Sequence, residues 1–221
     1  IVEGHDTVIL IHTPAGDMRE VIRRADDGAL SYRVEHLVKK PKDLACLAEF
    51  FEDQTIEADL EKVSTIELRA KDIGDDGIII SPSPGTPLGM LIRVYAGPET
   101  TVYLHADAPE ELAGLFSVME RNYRKQFMLA ADCPIDAFIG MDDTSTTTQS
   151  PAMFERYCMD YTDRIADSIH TRGRKYWHHS CGLIKDLLPL YRQTRMDAVH
   201  ALAEPPTGNV WIDEARNILD N

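Results

Sequence analysis

A chain of 221 residues can bury one substantial core, and its hydrophobic content of 43% and charged content of 27% are typical of a soluble globular protein. A net charge of −14, from 23 basic against 37 acidic residues, argues against nucleic acid as a partner, because a protein that neutralises phosphates needs a basic face. No apolar run approaches the roughly 18–20 residues that cross a bilayer, so we expect no membrane partner and a cytoplasmic location.

The first half of the chain is predicted to contain two strands separated by a helix. Residues 8–11 have the continuous apolar composition of a buried strand. Between residues 41 and 53, apolar side chains recur at i, i+3, i+4 and i+7, which defines one face of a helix. A second strand is predicted at residues 78–80. The run 81–87 is so rich in proline and glycine that it is predicted to be a loop.

The second half alternates helices and strands more clearly. A helix is predicted to begin after Asp107, and Ser150 begins another before a second apolar stripe. The first of these helices has a stripe predicted to face the core, formed by Leu112, Leu115, Phe116, Met119, Tyr123 and Phe127. Strands are predicted at 135–139, 175–179 and 197–201, a helix at 183–191, and a last helix capped by Asp213.

Strand, loop and helix therefore alternate at least five times, which predicts βα units and a parallel sheet covered by helices. Either a (β/α)8 barrel or an open doubly wound sheet has this order, and the glycine motifs of dinucleotide and P-loop sites are missing. We predict an α/β fold, a (β/α)8 TIM-like barrel of which about five βα units are present. It is expected to form one domain over residues 1–221 that lacks its N-terminal segment and its C-terminal strands.

The strongest chemical signal is His179-Ser180-Cys181 at the end of a predicted strand. In an extended segment, side chains at i and i+2 point to the same side, so an imidazole and a thiolate converge there. Zinc accepts this mixed nitrogen and sulfur set. A buried histidine beside an inert cysteine is an equally good interpretation of the spacing alone. The remaining thiols are expected to be reduced.

Other candidate residues follow the neighbouring predicted strands. Glu204 is a candidate third metal ligand and a candidate catalytic carboxylate, although it is equally well interpreted as a surface residue. Asp142 and Asp143 are candidates for substrate binding or proton transfer. Because adjacent residues of a strand face opposite sides, at most one of this pair faces the barrel mouth. Capping of a helix or a solvated loop is the alternative.

Four segments, in order, resemble the uroporphyrinogen decarboxylase superfamily. They are residues 35–44, Asp142-Asp143-Thr144 with Ser150-Pro151 and Phe154, His179-Ser180-Cys181-Gly182, and residues 204–209. The His-x-Cys-Gly motif is similar to that of the cobalamin-dependent (corrinoid) methyltransferases within it. This resemblance implies a (β/α)8 barrel with zinc held by His179 and Cys181, and a second Cys expected after Asn221. It also implies that Glu204 can close the zinc shell.

The resemblance implies a zinc-dependent methyltransferase. Such an enzyme moves a methyl group between a corrinoid (methylcobalamin on a partner protein) and a small-molecule acceptor, a thiol or tetrahydrofolate. The alternative enzyme is a metal-free decarboxylase of the tetrapyrrole pathway, whose basic pocket would involve Arg19, Arg23, Arg24 and Arg33. The first three of these are predicted to lie on the exposed side of a helix. A corrinoid-protein docking module without catalytic activity is the third hypothesis.

Overall fold

The structure, a computed structural model, describes residues 2–219, which divide into two compact units. The first unit comprises residues 2–55 and 91–119, and the second comprises residues 56–90 and 120–219. Each unit contains one four-stranded sheet. The single barrel domain expected over residues 1–221 stays a prediction.

The described strands, in chain order, are β1 (Val2–Glu3), β2 (Asp6–Thr13), β3 (Gly16–Arg24), β4 (Ser31–Glu35), β5 (Ile80–Pro84), β6 (Ala137–Thr144), β7 (Lys175–Ser180) and β8 (Ala198–His200). The described α-helices are α1 (Lys42–Glu52), α2 (Leu60–Ile73), α3 (Pro87–Met90), α4 (Pro98–Asp107), α5 (Pro109–Ala131), α6 (Pro151–Tyr157), α7 (Met159–His170), α8 (Leu188–Tyr191) and α9 (Ile212–Leu219). Short 3₁₀ turns lie at Gly74–Asp76 and Lys185–Leu187, and a π-helical turn lies at Leu91–Tyr95.

The sheet of the first unit is antiparallel, with strand order β1-β2-β3-β4. β2 and β3 form a hairpin in which Thr13 pairs with Gly16 across a two-residue turn. The strand predicted at 8–11 is therefore present, but in an antiparallel pair. The prediction that Arg19, Arg23 and Arg24 lie on a helix is wrong, because all three lie in β3, where they pair with β2 or β4.

The sequence predicts the core-facing side of a long helix better than its boundaries. The predicted stripe of α5 is confirmed, since each of its six side chains is buried. Asp107 ends α4 instead of capping α5. The predicted helix 183–191 is a 3₁₀ turn followed by one turn of α-helix. The sequence does not predict α2, because none of its side chains is buried and the helix therefore lacks a core-facing apolar stripe.

The sheet of the second unit is parallel, with strand order β5-β6-β7-β8. The loop predicted at 81–87 is wrong for its first half, because residues 81–84 belong to β5. Pro82 and Pro84 are tolerated there because β5 is an edge strand, where a missing N–H leaves no ladder bond unmade.

The α/β class is confirmed: four parallel strands alternate with helices, as in part of a (β/α)8 barrel. The predicted number of about five βα units is reduced to four parallel strands, because residues 8–11 pair in the other sheet. None of the helices described within residues 2–219 has the length and apolar composition to span a bilayer.

Asp197 ties the beginnings of β7 and β8 to the end of α7. Its carboxylate accepts hydrogen bonds from His170 Nε2 at 2.7 Å, Lys175 Nζ at 2.8 Å and the Tyr176 amide at 2.8 Å. Burial raises the pKa of Asp197, but these hydrogen bonds outweigh burial and leave the pKa lowered. The carboxylate therefore stabilises the fold at neutral pH.

We expect the stability of the wild-type protein to depend on Asp197 ionisation in acid. Because its folded pKa is depressed, the stabilisation is fully present above its unfolded pKa and is lost as the pH falls below about 4. Urea unfolding between neutral and acidic pH should show a shallower acid dependence for Asp197→Asn. Asp160→Asn, at a residue whose side chain is 91% exposed, is the control and should follow the wild type. Identical acid profiles for Asp197→Asn and wild type would contradict this account.

Candidate metal centre

Alternation along β6 and β7 separates two sets of polar side chains at their carboxyl ends. Asp142 and His178 lie on the buried side, where His178 packs edge-on against Phe154 of α6 and Tyr191 of α8. Asp143 and His179 lie on the opposite, more exposed side. His178 faces the helix layer and, as predicted for the aspartate pair, only one of its two members accompanies His179.

Asp143 reaches His179 through an irregularity in the sheet. The register between β6 and β7 shifts between Gly140 and Thr144, and Asp143 has a φ of 53°, in the left-handed region. Aspartate is among the few residues that occupy this region at moderate cost. Such bulges re-aim a side chain near the end of a strand. This conformation accompanies a distance of 3.0 Å between Asp143 Oδ1 and His179 Nε2.

Three side chains converge into a candidate metal group: Asp143, His179 and Cys181. Their ligand atoms all lie within 4.8 Å of one another. His179 is 14% exposed and Asp143 is 44% exposed, so the group is accessible from one side. Burial, and next the negative charge of Asp143, raise the pKa of the Cys181 thiol. All four cysteines are free, in agreement with the expectation of reduced thiols.

The chain turns sharply immediately after Cys181. Gly182 has a φ of 88°, which favours glycine, and a Cβ there would lie 3.2 Å from Ser145 Oγ. Ser145 Oγ also accepts a hydrogen bond from the Leu183 amide at 3.2 Å. The loop after β7 is therefore fixed to the loop after β6, which holds Cys181 near Asp143.

His200, at the end of β8, is the neighbour that the sequence analysis missed. Its Nδ1 lies 2.8 Å from Nδ1 of His179, and the two residues are paired in the register of β7 and β8. His200 lies in the strand predicted at 197–201. Aligning the carboxyl end of this strand with that of the strand predicted at 175–179 would have placed His200 beside His179.

Asp142 is buried among groups that use its carboxylate for structure. Oδ1 accepts hydrogen bonds from the Thr86 amide at 2.6 Å and the Thr86 hydroxyl at 3.0 Å. Oδ2 lies 3.2 Å from His178 Nδ1, and burial, followed by the proximity of His179, lowers the pKa of His178 to about 3. A Cβ at Gly85 or Gly89 would overlap the carboxylate. Asp142 thus joins the loop after β5 to the end of β6, and its catalytic role stays a prediction.

Glu204 does not belong to the candidate metal group among the residues described. It is exposed, and its Oε1 accepts a hydrogen bond from the Ile212 amide at 3.0 Å, at the beginning of α9. The segment that follows it carries a second anchor. Asn209 Oδ1 accepts from the Ile184 amide at 2.9 Å and the Lys185 amide at 3.0 Å. Metal binding and catalysis by Glu204 stay predictions.

Replacing Asn209 by alanine is expected to lower the free energy of unfolding by about 1–3 kcal/mol, because two backbone amides lose their acceptor and Ile184 is fully buried. Asn209→Asp retains the acceptor oxygen and should cost less. Urea unfolding measures the difference, with Asn217→Ala on the exposed side of α9 as the control. Equal losses for Asn209→Ala and Asn209→Asp would show that the two amides do not depend on this oxygen.

Comparison with known proteins identifies one family and one fold. The family model described as uroporphyrinogen decarboxylase (URO-D) matches residues 64–215. No curated protein matches the chain. Among solved structures, a methyltransferase from Methanosarcina mazei has a similar fold, with a TM-score of 0.66 and 14% sequence identity over 90% of this chain. The chain covers 56% of that protein, and at this identity the likeness shows the fold alone.

Proposed function

Because this chain belongs to the uroporphyrinogen decarboxylase (URO-D) family, we propose that it is part of a zinc-dependent methyltransferase. The enzyme would move a methyl group between a corrinoid on a partner protein and a small-molecule acceptor, a thiol or tetrahydrofolate. The observation that carries the proposal is the group of Asp143, His179 and Cys181 at the carboxyl ends of parallel strands. In barrels of this class, active sites lie at these strand ends.

The donor set suits zinc. Zinc binds imidazole nitrogen, thiolate sulfur and carboxylate oxygen at about 2.0–2.3 Å, and catalytic sites keep three protein ligands and one open position. Ligand atoms within 4.8 Å of one another can close on one such ion with small side-chain movements. A sulfur ligand and an imidazole also disfavour calcium and magnesium, which prefer oxygen. Glu204 would have to leave the Ile212 amide before joining this shell.

Zinc supplies a strong local positive charge that keeps a coordinated acceptor thiol deprotonated at neutral pH. The side chains that would hold the zinc are those of Asp143, His179 and Cys181. His179 presents Nε2 toward Asp143, and the Cys181 thiol must lose its proton when it becomes a ligand. The exposed side of Asp143 leaves a route for the acceptor. The corrinoid part of the proposal rests on the family resemblance, and so does the identity of the acceptor.

A metal-free decarboxylase is the second candidate, because the family model carries that description. A tetrapyrrole with several carboxylates needs free basic side chains. In the first unit, Arg23 pairs with Asp6 at 2.7 Å, and Arg19 and Arg33 pair with Glu35 and Glu20. These ion pairs neutralise three of the four arginines that the sequence suggested for this substrate, so the second candidate has less support.

Metal analysis of the purified full-length protein tests the proposal. We expect about one zinc per chain, lost in Cys181→Ser and retained in Cys133→Ser, whose buried thiol donates to the Leu129 carbonyl. Methylcobalamin with a thiol acceptor should then give methyl transfer that depends on the bound zinc. Absence of zinc from the wild type would refute the proposal. Zinc and corrinoid-protein binding without methyl transfer would favour the docking module, and turnover of uroporphyrinogen would favour the decarboxylase.

A further inference from the structure

His179 and His200 lie opposite each other in the register of two parallel strands. Their Cα atoms are partners in the pairing of β7 with β8, their ring centroids are 5.0 Å apart, and the rings are tilted by 42°. The two Nδ1 atoms are 2.8 Å apart. At this distance one nitrogen carries the proton and the other presents its lone pair. The Nδ1 atom of His179 is therefore engaged by His200 in either arrangement.

The other nitrogen of His179 is the one directed at the metal group. Nε2 lies 3.0 Å from Asp143 Oδ1, and both residues belong to the group that includes Cys181. A neutral imidazole has one lone pair to offer. If Nδ1–H is donated to His200, that lone pair is on Nε2, the nitrogen that lies 3.0 Å from Asp143 Oδ1 in the candidate metal group.

We propose that His200 is a positioning residue of the metal centre: it accepts the Nδ1 proton of His179 and so selects Nε2 as the nitrogen that binds zinc. This inference rests on the proposed zinc site and names the residue that orients one of its ligands. Histidine ligands characteristically donate their second N–H to a partner that fixes the ring and raises its basicity. His200 occupies that place without being in the ligand group itself.

Unusual backbone conformations next to His200 and in Asp143 are consistent with a functional constraint on where these side chains lie. Among the described residues, the non-glycine residues with positive φ are Asp143, at 53°, and Ala201, at 67°. They lie at the carboxyl ends of β6 and β8, the two neighbours of the strand that carries His179. Backbone strain of this kind is concentrated at functional sites. Here it occurs in a ligand and beside the residue that contacts a ligand.

Two substitutions of nearly equal shape separate the effect of the hydrogen bond on zinc binding from the effect of packing. His200→Leu removes the polar atom, whereas His200→Asn has nearly the same shape as leucine and places an amide oxygen or nitrogen near the former Nδ1 position. Zinc affinity is measured by competition with a chromophoric chelator on the full chain. Co²⁺ replaces zinc as a spectroscopic probe of the ligand geometry. His12→Leu, in the first unit, is the control because His12 contacts Asp17 on an exposed hairpin.

We expect His200→Leu to weaken zinc binding by roughly 10–100-fold and to change the visible Co²⁺ bands, while His200→Asn stays within about threefold of the wild type. His12→Leu should bind as the wild type does. If the wild type binds zinc and His200→Leu binds equally well, this inference is overturned and the zinc site stands. Equal losses in the leucine and asparagine variants would also overturn it, because packing would then be the cause. A wild type that binds no zinc overturns the proposed function together with this inference.

Discussion

Replacing Asp142 by alanine is expected to lower the free energy of unfolding by about 3–5 kcal/mol. The carboxylate is fully buried, and its removal leaves the Thr86 amide and hydroxyl without their acceptor. It also leaves His178 Nδ1 without the group that lies 3.2 Å away in a site with no solvent exposure. The loop after β5 would lose its attachment to β6. Urea unfolding monitored by circular dichroism measures the loss.

The control variants for Asp142 separate structure from chemistry. Asp142→Asn keeps an acceptor for the Thr86 amide and should cost about 1–2 kcal/mol, while Asp186→Ala on the surface should change stability by less than about 0.5 kcal/mol. If Asp142→Asn is folded yet loses turnover, the predicted catalytic role gains support. An alanine variant as stable as the wild type would contradict the structural role described above.

Replacing Asp143 by asparagine is expected to weaken zinc binding by more than about 100-fold. The loss should exceed the roughly 10–100-fold typical of a residue that touches only a ligand, because Asp143 supplies an anionic oxygen to the metal group itself. Asparagine tolerates the left-handed φ of 53°, so the folded state should be retained. Chelator competition gives the affinity, and thermal unfolding without metal reports the fold.

Asp143→Ala completes this comparison. It should lose zinc affinity to a similar extent and lose about a further 1 kcal/mol of stability, since alanine is disfavoured at this φ. Asp186→Asn, at an exposed aspartate outside the metal group, is the matched control for affinity. Unchanged zinc affinity in Asp143→Asn would show that Asp143 is not a zinc ligand. The third ligand beside His179 and Cys181 would then be another residue.

The sequence predicted local features that depend on regular spacing. His179 and Cys181 converge as expected for alternate residues of an extended segment, and Ser150 caps α6 by accepting from the Met153 amide at 3.2 Å. The long apolar stripe of α5 was equally predictable. Each of these depends on residues a few positions apart, for which backbone geometry alone determines which side chains meet.

Features that depend on pairing between distant segments were not predictable in the same way. The proposed role of Asp143 depends on a register shift and a left-handed backbone, and that proposed for His200 depends on the alignment of β7 with β8. The antiparallel sheet was missed because a short apolar run has the same composition in either kind of sheet. Asp142 and Asp143 are identical in sequence terms, yet the alternation of the strand gives them unrelated environments.

The prolines of β5 also bear on strand addition at this edge of the described sheet. A free sheet edge offers unpaired N–H and C=O groups on which a foreign strand can assemble, which is a common beginning of aggregation. N–H groups of alternate residues point to the same edge of a strand, and Pro82 and Pro84 occupy alternate positions of β5. Their nitrogens carry no hydrogen, so the outer edge lacks donors where an incoming chain would need them. The Ser-Pro-Ser-Pro segment thus makes this end of the sheet a poor template for recruiting further strands.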